Sequence, residues 1–266
     1  MSHRSRQSPH LPSAQTRADM TEYLESPEHG LPSEHRRGLL PEAYFRWRGG
    51  EITRLEAFCD VVFGFALTLL VVSLEVPRNY HEMMEVMRGF LPFAICFAQL
   101  IMLWRAHYQF SRRYGLEDPY TVFLNIVLLF VILFYVYPLK YVFTMVFGQV
   151  TGTIAVTGVG WHEASVLMRI YAVGFSSVFT LFALMYGHAY RLRDQIGLDA
   201  VEVLETRTSL EQNVIMAVVG AISFVLALKS PPLAGWWYFV LGPALAIHGS
   251  IQGRKIRLLA EKVRAA

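Results

Sequence analysis

Hydrophobic positions in this chain come in long runs rather than in short periodic faces. Residues 1–54 are polar, rich in Arg, Pro, Ser and His, and show no sustained apolar period. From Phe58 onward, runs long enough or nearly so for the roughly 20 residues of a bilayer span follow one another. They predict six membrane helices, over Arg54–Val76, Gly89–Phe110, Val122–Phe147, Ile170–Tyr190, Val214–Leu228 and Leu233–Ser250. The fifth is the shortest and extends back toward Leu210 if its polar start is included. Pro231 and Pro232 divide it from the sixth. The fold class is therefore all-α, a polytopic membrane protein.

This pattern also sets the domains. Residues 1–50 read as a flexible cytoplasmic tail, with a short interfacial helix over Leu40–Arg48 and Gly49-Gly50 as a break. Residues 51–252 form the six-helix membrane domain, and residues 253–266 a basic cytoplasmic tail. No secretory leader is expected, because the first apolar run begins late and lacks a small-residue cleavage pattern.

Composition agrees with a bilayer. The 266 residues are 54% hydrophobic and 17% charged, with a mean hydropathy of +0.35, against about 25% charged in a soluble domain. Basic residues orient the spans. With the N-terminus inside, 19 of the 24 Lys and Arg fall on the inner side, leaving Arg78, Arg88, Lys140, Arg169 and Lys229 outside. The positive-inside rule then places both termini in the cytoplasm. Trp161, Trp236 and Trp237 fall at the outer boundary and Trp47 at the inner one. The net charge of +3 reflects this topology, and nothing points to nucleic acid.

The chemistry sits at the mouth of the first span. Arg54-Leu-Glu-Ala-Phe58-Cys59-Asp60 runs straight into an apolar stretch ending at Leu74. A carboxylate at that depth is costly and is usually kept for function. Arg54 lies six residues earlier, about 600° around a helix, so it does not share a face with Asp60. The partner of Asp60 is expected on another helix. The second span runs outside to inside and ends with Trp104 and His107. The third starts inside and carries Asn125 about a turn in. Asp60, His107 and Asn125 should share one layer near the inner leaflet, as a hydrogen-bonded network tying helices one to three together.

Beyond Asp60, Phe65, Leu69, Val72 and Val76 follow helical spacing, with Thr68 beside them. Such a stripe is ordinarily for packing. In a symmetric oligomer it would form apolar rings that gate by dewetting, and Glu75 above Val72 would form an acidic ring attracting cations.

Other chemistries find less support. Thr157-Gly158-Val159-Gly160 has the wrong order for a carbonyl filter and no pore helix before it, and reads as a plain loop. Gly174-Phe-Ser-Ser-Val178 lacks the second glycine of a nucleophile elbow. His107 and His188 both lie near inner helix ends, but bis-His haem ligation would need both rings turned inward around the cofactor. Cys59 and Cys96 lie within spans and have no metal-ligand spacing. No cofactor or metal is expected, and no enzymatic activity. A secondary transporter of a small solute or ion is the alternative, but midplane carboxylates and repeat symmetry are missing.

Arg54-x-x-x-Phe58-Cys59-Asp60 resembles the Arg-x-x-x-Phe-Ser-Asp signature of the transmembrane protein 175 family, which includes the lysosomal potassium channel and its prokaryotic relatives. The likeness continues through Ala66-x-Thr68-Leu69-Leu70 and Pro77, through Trp104-x-x-His107-x-x-Phe110, and from Leu124-Asn125 to Pro138. It covers about residues 50–145; the last three helices match in number only.

The resemblance implies a homotetramer of six-helix subunits in the cell membrane. Its first helices would line a central pathway that conducts potassium passively, without a carbonyl filter. Phe65, Thr68, Leu69 and Val72 would line and constrict it. Arg54, Phe58, Cys59, Asp60, Trp104, His107 and Asn125 would hold that helix in place. This chain departs from the pattern at Cys59, where Ser is usual, and at Phe65, where Ile or Leu is usual.

Overall fold

The computed structural model describes residues 45–50, 52–72, 77–151 and 160–265. Most of the N-terminal tail, Glu75 and the Thr157–Val159 part of the loop lie outside the described residues, as does most of the expected interfacial helix. Its last residues, from Phe45, are not helical. Among the described residues the regular structure is entirely helical.

Helix α1 spans Arg54–Val72. Thr53 starts it, its hydroxyl accepting the backbone N–H of Glu56 at 3.1 Å, as an N-terminal cap does. Short α2, Tyr80–Arg88, is begun by Asn79, whose side chain accepts from the Glu82 N–H at 2.9 Å. Helix α3, Phe90–Tyr114, ends on Gly115 in the left-handed conformation, φ 58°. A side chain there would also crowd the Arg48 carbonyl, 3.3 Å from where a Cβ would stand. Glycine is required on both counts.

Asp118 caps α4, Pro119–Thr151, accepting from the Tyr120 and Thr121 N–H groups. Helix α5 covers Trp161–Arg191 and α6 covers Ala200–Ala227. Asp199 and Glu202 form a reciprocal capping box at the start of α6, which satisfies N–H groups that the first turn leaves open.

Five of these helices, α1, α3, α4, α5 and α6, are long and apolar enough to cross a membrane. The expected sixth span, Leu233–Ser250, is not one unbroken α-helix. It is divided into α7, Pro231–Trp236, a 3-10 turn over Trp237–Val240, and α8, Leu241–Ala265. Pro231 sits at the start of α7 and Pro243 in the first turn of α8, where a missing N–H does no harm. Helix α8 continues through the basic segment expected as a tail.

Helix α4 is central, packing on α1, α3 and α5. Helices α5 and α6 pack along their length, while α7 and α8 lie against α6. The α5–α6 contact is close because its residues are small. A Cβ on Gly220 would come within 3.0 Å of Phe175 and Ser176. Ser176 and Ser165 donate their hydroxyls across to the carbonyls of Ala217 and Ala227, at 2.8 and 2.6 Å. Small residues let backbones approach where lipid gives no hydrophobic drive.

Candidate functional site

From Val61 onward helix α1 is apolar almost all round, yet it has two sharply different faces. Cys59, Phe63, Ala66 and Leu70 are buried, a ridge with helical spacing that packs toward α3 and α4. On the other side Val61, Gly64, Phe65, Thr68, Val71 and Val72 are exposed. Phe65 is 54% exposed and Val72 71%, with Leu69 half-buried at the edge of the strip. The hydroxyl of Thr68 donates to the Gly64 carbonyl at 3.0 Å. Its oxygen lone pairs are left as acceptors on the open face.

Below this strip the polar residues form two couples. Trp104 donates its indole N–H to Asp60 Oδ1 at 2.8 Å, joining α3 to α1. Its ring also stacks on Tyr108. Asn125 is the hub of the second couple. Its Oδ1 meets His107 Nε2 at 2.6 Å and accepts a long contact from the Cys59 thiol at 3.9 Å, while its amide donates to the Thr121 carbonyl at 2.8 Å. Because that oxygen accepts, Nε2 of His107 carries the proton, and the buried Nδ1 is left without a partner. Asp60 has no hydrogen bond to His107 or Asn125; its partner is Trp104. Arg54 and Phe58 are exposed and lie on the same side of α1 as the open strip.

His188 does not face His107. Its Nε2 meets Asp118 Oδ2 at 3.0 Å, at the start of α4, and its ring lies edge-on to Tyr120. Burial raises the Asp118 carboxyl, but the Thr121 hydroxyl, the Thr121 N–H and the His188 ring outweigh it and hold the group below its ordinary value. Among the described residues no cluster of three or more His, Cys, Asp or Glu could hold a metal ion.

Charged contacts just before α1 were not anticipated from the sequence. Arg48 grips Glu202 on α6 with two bonds, Nη1 to Oε1 at 3.0 Å and Nη2 to Oε2 at 2.6 Å. It also donates to the carbonyls of Ile196 and Gly197. The Arg46 N–H donates to the same Glu202 carboxylate. Arg112, near the end of α3, reaches the Gly49 and Gly50 carbonyls, while its backbone carbonyl accepts from the Arg48 and Gly49 N–H groups. Arg113 pairs with Glu205 at 2.7 Å and lies over the Phe45 ring. Buried Glu56 on α1 lies 3.4 Å from Arg112. Together these contacts fix the entry to α1 against α3 and α6. The one sequence signal was the Asp199-x-x-Glu202 spacing of a capping box.

The arrangement is a single apolar helix with one face supported and one left open, set on a polar layer and a charged clasp. Comparison with known proteins gives this shape a context. The family model described as endosomal/lysosomal potassium channel TMEM175 matches residues 54–135. A potassium channel of Marivirga tractuosa is 36% identical over 237 residues, 84% of this chain and 95% of that one. A potassium channel of Chamaesiphon minutus is 28% identical over 96 residues, 33% of this chain and 47% of that protein. Among solved structures, the potassium channel MtTMEM175, crystallised with a nanobody fusion, superposes with a TM-score of 0.71 at 34% identity, covering 82% of this chain and 99% of that one. A lysosomal potassium-selective channel homologue from Chamaesiphon minutus gives a TM-score of 0.53 at 22% identity, covering 73% of this chain and 95% of that one, a likeness of fold.

Proposed function

The chain belongs to the TMEM175 family, a family of membrane channels and not of enzymes, and on that premise we propose that it conducts potassium passively through a pore lined by α1. The observation that carries this reading is the open strip of α1. Phe65, Thr68 and Val72 are exposed on one side of a membrane helix whose opposite ridge, from Cys59 to Leu70, is buried in its own subunit. Four copies arranged about an axis would bring the strips together. Rings of Phe65, Leu69 and Val72 would form an apolar constriction that excludes water until it widens. The Thr68 oxygen, its proton spent on Gly64, would offer an acceptor to a passing cation.

In this reading Trp104, Asp60, His107, Asn125 and Cys59 hold the pore helix in place, and Glu75 attracts cations at the outer mouth. Basic residues close to the α3 end, at the α5–α6 connection and along α8 support cytoplasmic termini in the cell membrane.

The test is ion flux into liposomes containing the purified protein, with potassium and sodium gradients run in parallel. Rapid discharge of the potassium gradient, faster than that of sodium, is expected. No flux of either ion from a verified folded oligomer would overturn the proposal.

A further inference from the structure

Helices α4, α5 and α6 enclose a cleft of about 470 Å³, within the roughly 300–1,000 Å³ of ligand sites. Its walls are apolar, with Phe134, Tyr135, Pro138, Ile170, Val173 and Phe224 among them. Phe134, Ile170 and Val173 are each exposed, at 71%, 43% and 51%. The cleft therefore opens sideways, toward the bilayer.

One charged side chain, Arg169, joins this wall. Its Nε donates to the Ser165 carbonyl at 3.3 Å. Among the described residues its guanidinium has no other hydrogen bond and no carboxylate partner. Within the same residues the two Nη groups, the fork that grips phosphate, have no partner.

The depth is right for a headgroup. Helix α5 has 31 residues, about 46 Å at 1.5 Å per residue. That exceeds the roughly 30 Å hydrocarbon core, so the helix projects beyond it. The long apolar stretch starts at Ile170, which puts Arg169 at the core boundary nearer the Trp161 end. From there the cleft runs inward past Val173 to Ser177, about 12 Å.

We propose that this cleft binds a negatively charged glycerophospholipid, its phosphate on Arg169 and one acyl chain along Ile170, Val173 and Ser177. Charge decides for an anionic lipid over a zwitterionic one, since the lining holds one cation, Arg169, and no carboxylate. The site takes its walls from α4, α5 and α6 and shares no residue with the open strip of α1, and the proposal stands whether or not the protein conducts.

Native mass spectrometry of the full-length protein in maltoside, titrated with dioleoylphosphatidylglycerol or dioleoylphosphatidylcholine, tests it. Retention of phosphatidylglycerol is expected to exceed that of phosphatidylcholine. Arg169→Gln should weaken it about fivefold, the effect of one basic residue at a charged headgroup. Val173→Trp, which fills the cleft, should remove the tightly held lipid. Equal retention of the two lipids, or a preference that survives both substitutions, would overturn the proposal. So would a Val173→Trp protein that changes only its oligomeric state, since a second copy would then fill the cleft. Should Arg169→Gln fail to fold, the loss or survival of the held lipid in Val173→Trp decides the matter alone.

Discussion

Arg48 and Glu202 stand 154 residues apart in the chain, yet their side chains meet in a two-bond pair at 3.0 and 2.6 Å. Glu202 is almost wholly buried and Arg48 nearly so. The same carboxylate closes the capping box of α6. One group thus ends the segment leading into α1 and begins the helix packed behind α5.

Removing one partner would leave the other charge uncompensated. Arg48→Ala or Glu202→Ala should lower stability by about 3–5 kcal/mol, the cost of breaking a buried pair. The double variant should lose much less than the sum. Thermal unfolding in detergent measures all three. Additive losses would mean the two residues act separately.

The Trp104–Asp60 bond makes a different demand. It needs an acceptor at position 60 more than a full charge. Asp60→Asn should retain the bond and most of the stability. Asp60→Ala and Trp104→Phe should each lose about 1.5–3 kcal/mol, as for hydrogen bonds to charged groups. Assembly should suffer in Asp60→Ala before any change in ion preference. A stable oligomer with unchanged melting in Asp60→Ala would show a carboxylate that is merely solvated.

Asn125 serves more partners than Cys59 does, so the two should rank clearly. Asn125→Ala strands the proton on His107 Nε2 beside an already unpartnered Nδ1, costing about 1–3 kcal/mol. Cys59→Ser should change stability by less than about 1 kcal/mol, because the thiol is 3.9 Å from Asn125 and a weak donor. The reverse ranking in a melting series would relocate the hub to Cys59.

These couples show what the sequence could reveal. Helix direction alone puts Trp104, His107 and Asn125 at the depth of Asp60, since α3 descends as α4 begins. Which of them touch depends on rotation about each axis, and hydrophobic runs in uniformly apolar helices carry little rotational information. The early starts of α5 at Trp161 and α6 at Ala200 were hidden for a related reason. Hydropathy reports the membrane core, whereas these helices extend past it, carrying Glu202 and Glu205 into contact with Arg48 and Arg113. The break at Trp237–Val240 has no helix-breaking residue of its own, and the prolines on either side lie in helix starts.

Acid should act through Asp118. Its carboxyl is held below its ordinary value of 3.8 by Thr121 and His188, against the effect of burial. A carboxyl with a depressed folded value lends stability above its unfolded value and loses it as pH falls through the folded one. The contribution should therefore be complete near neutrality and fade below about pH 4. Partial exposure keeps it small. Asp118→Asn should flatten the acid limb of a melting-temperature profile without altering its neutral plateau beyond a constant offset. An unchanged slope below about pH 4 would assign the limb to other carboxylates.

Phe65 and Leu70 provide the sharpest contrast, because one helix presents them to opposite environments. Leu70 has no exposed surface and belongs to the ridge buried on α3 and α4; Phe65 is 54% exposed on the open strip. Leu70→Ala should therefore cost about 2–5 kcal/mol as a core cavity, while the potassium-to-sodium permeability ratio of the surviving protein stays constant. Phe65→Ala removes no internal packing of comparable extent and should leave melting within about 1 kcal/mol. It should instead widen the constriction, raising flux severalfold or eroding the preference for potassium, with Leu69→Ala acting in the same direction. Paired melting and liposome flux on the same preparations separate the two effects. If Phe65→Ala and Leu69→Ala both leave flux and selectivity unchanged, the open strip faces lipid or a neighbouring subunit and the pore lies elsewhere.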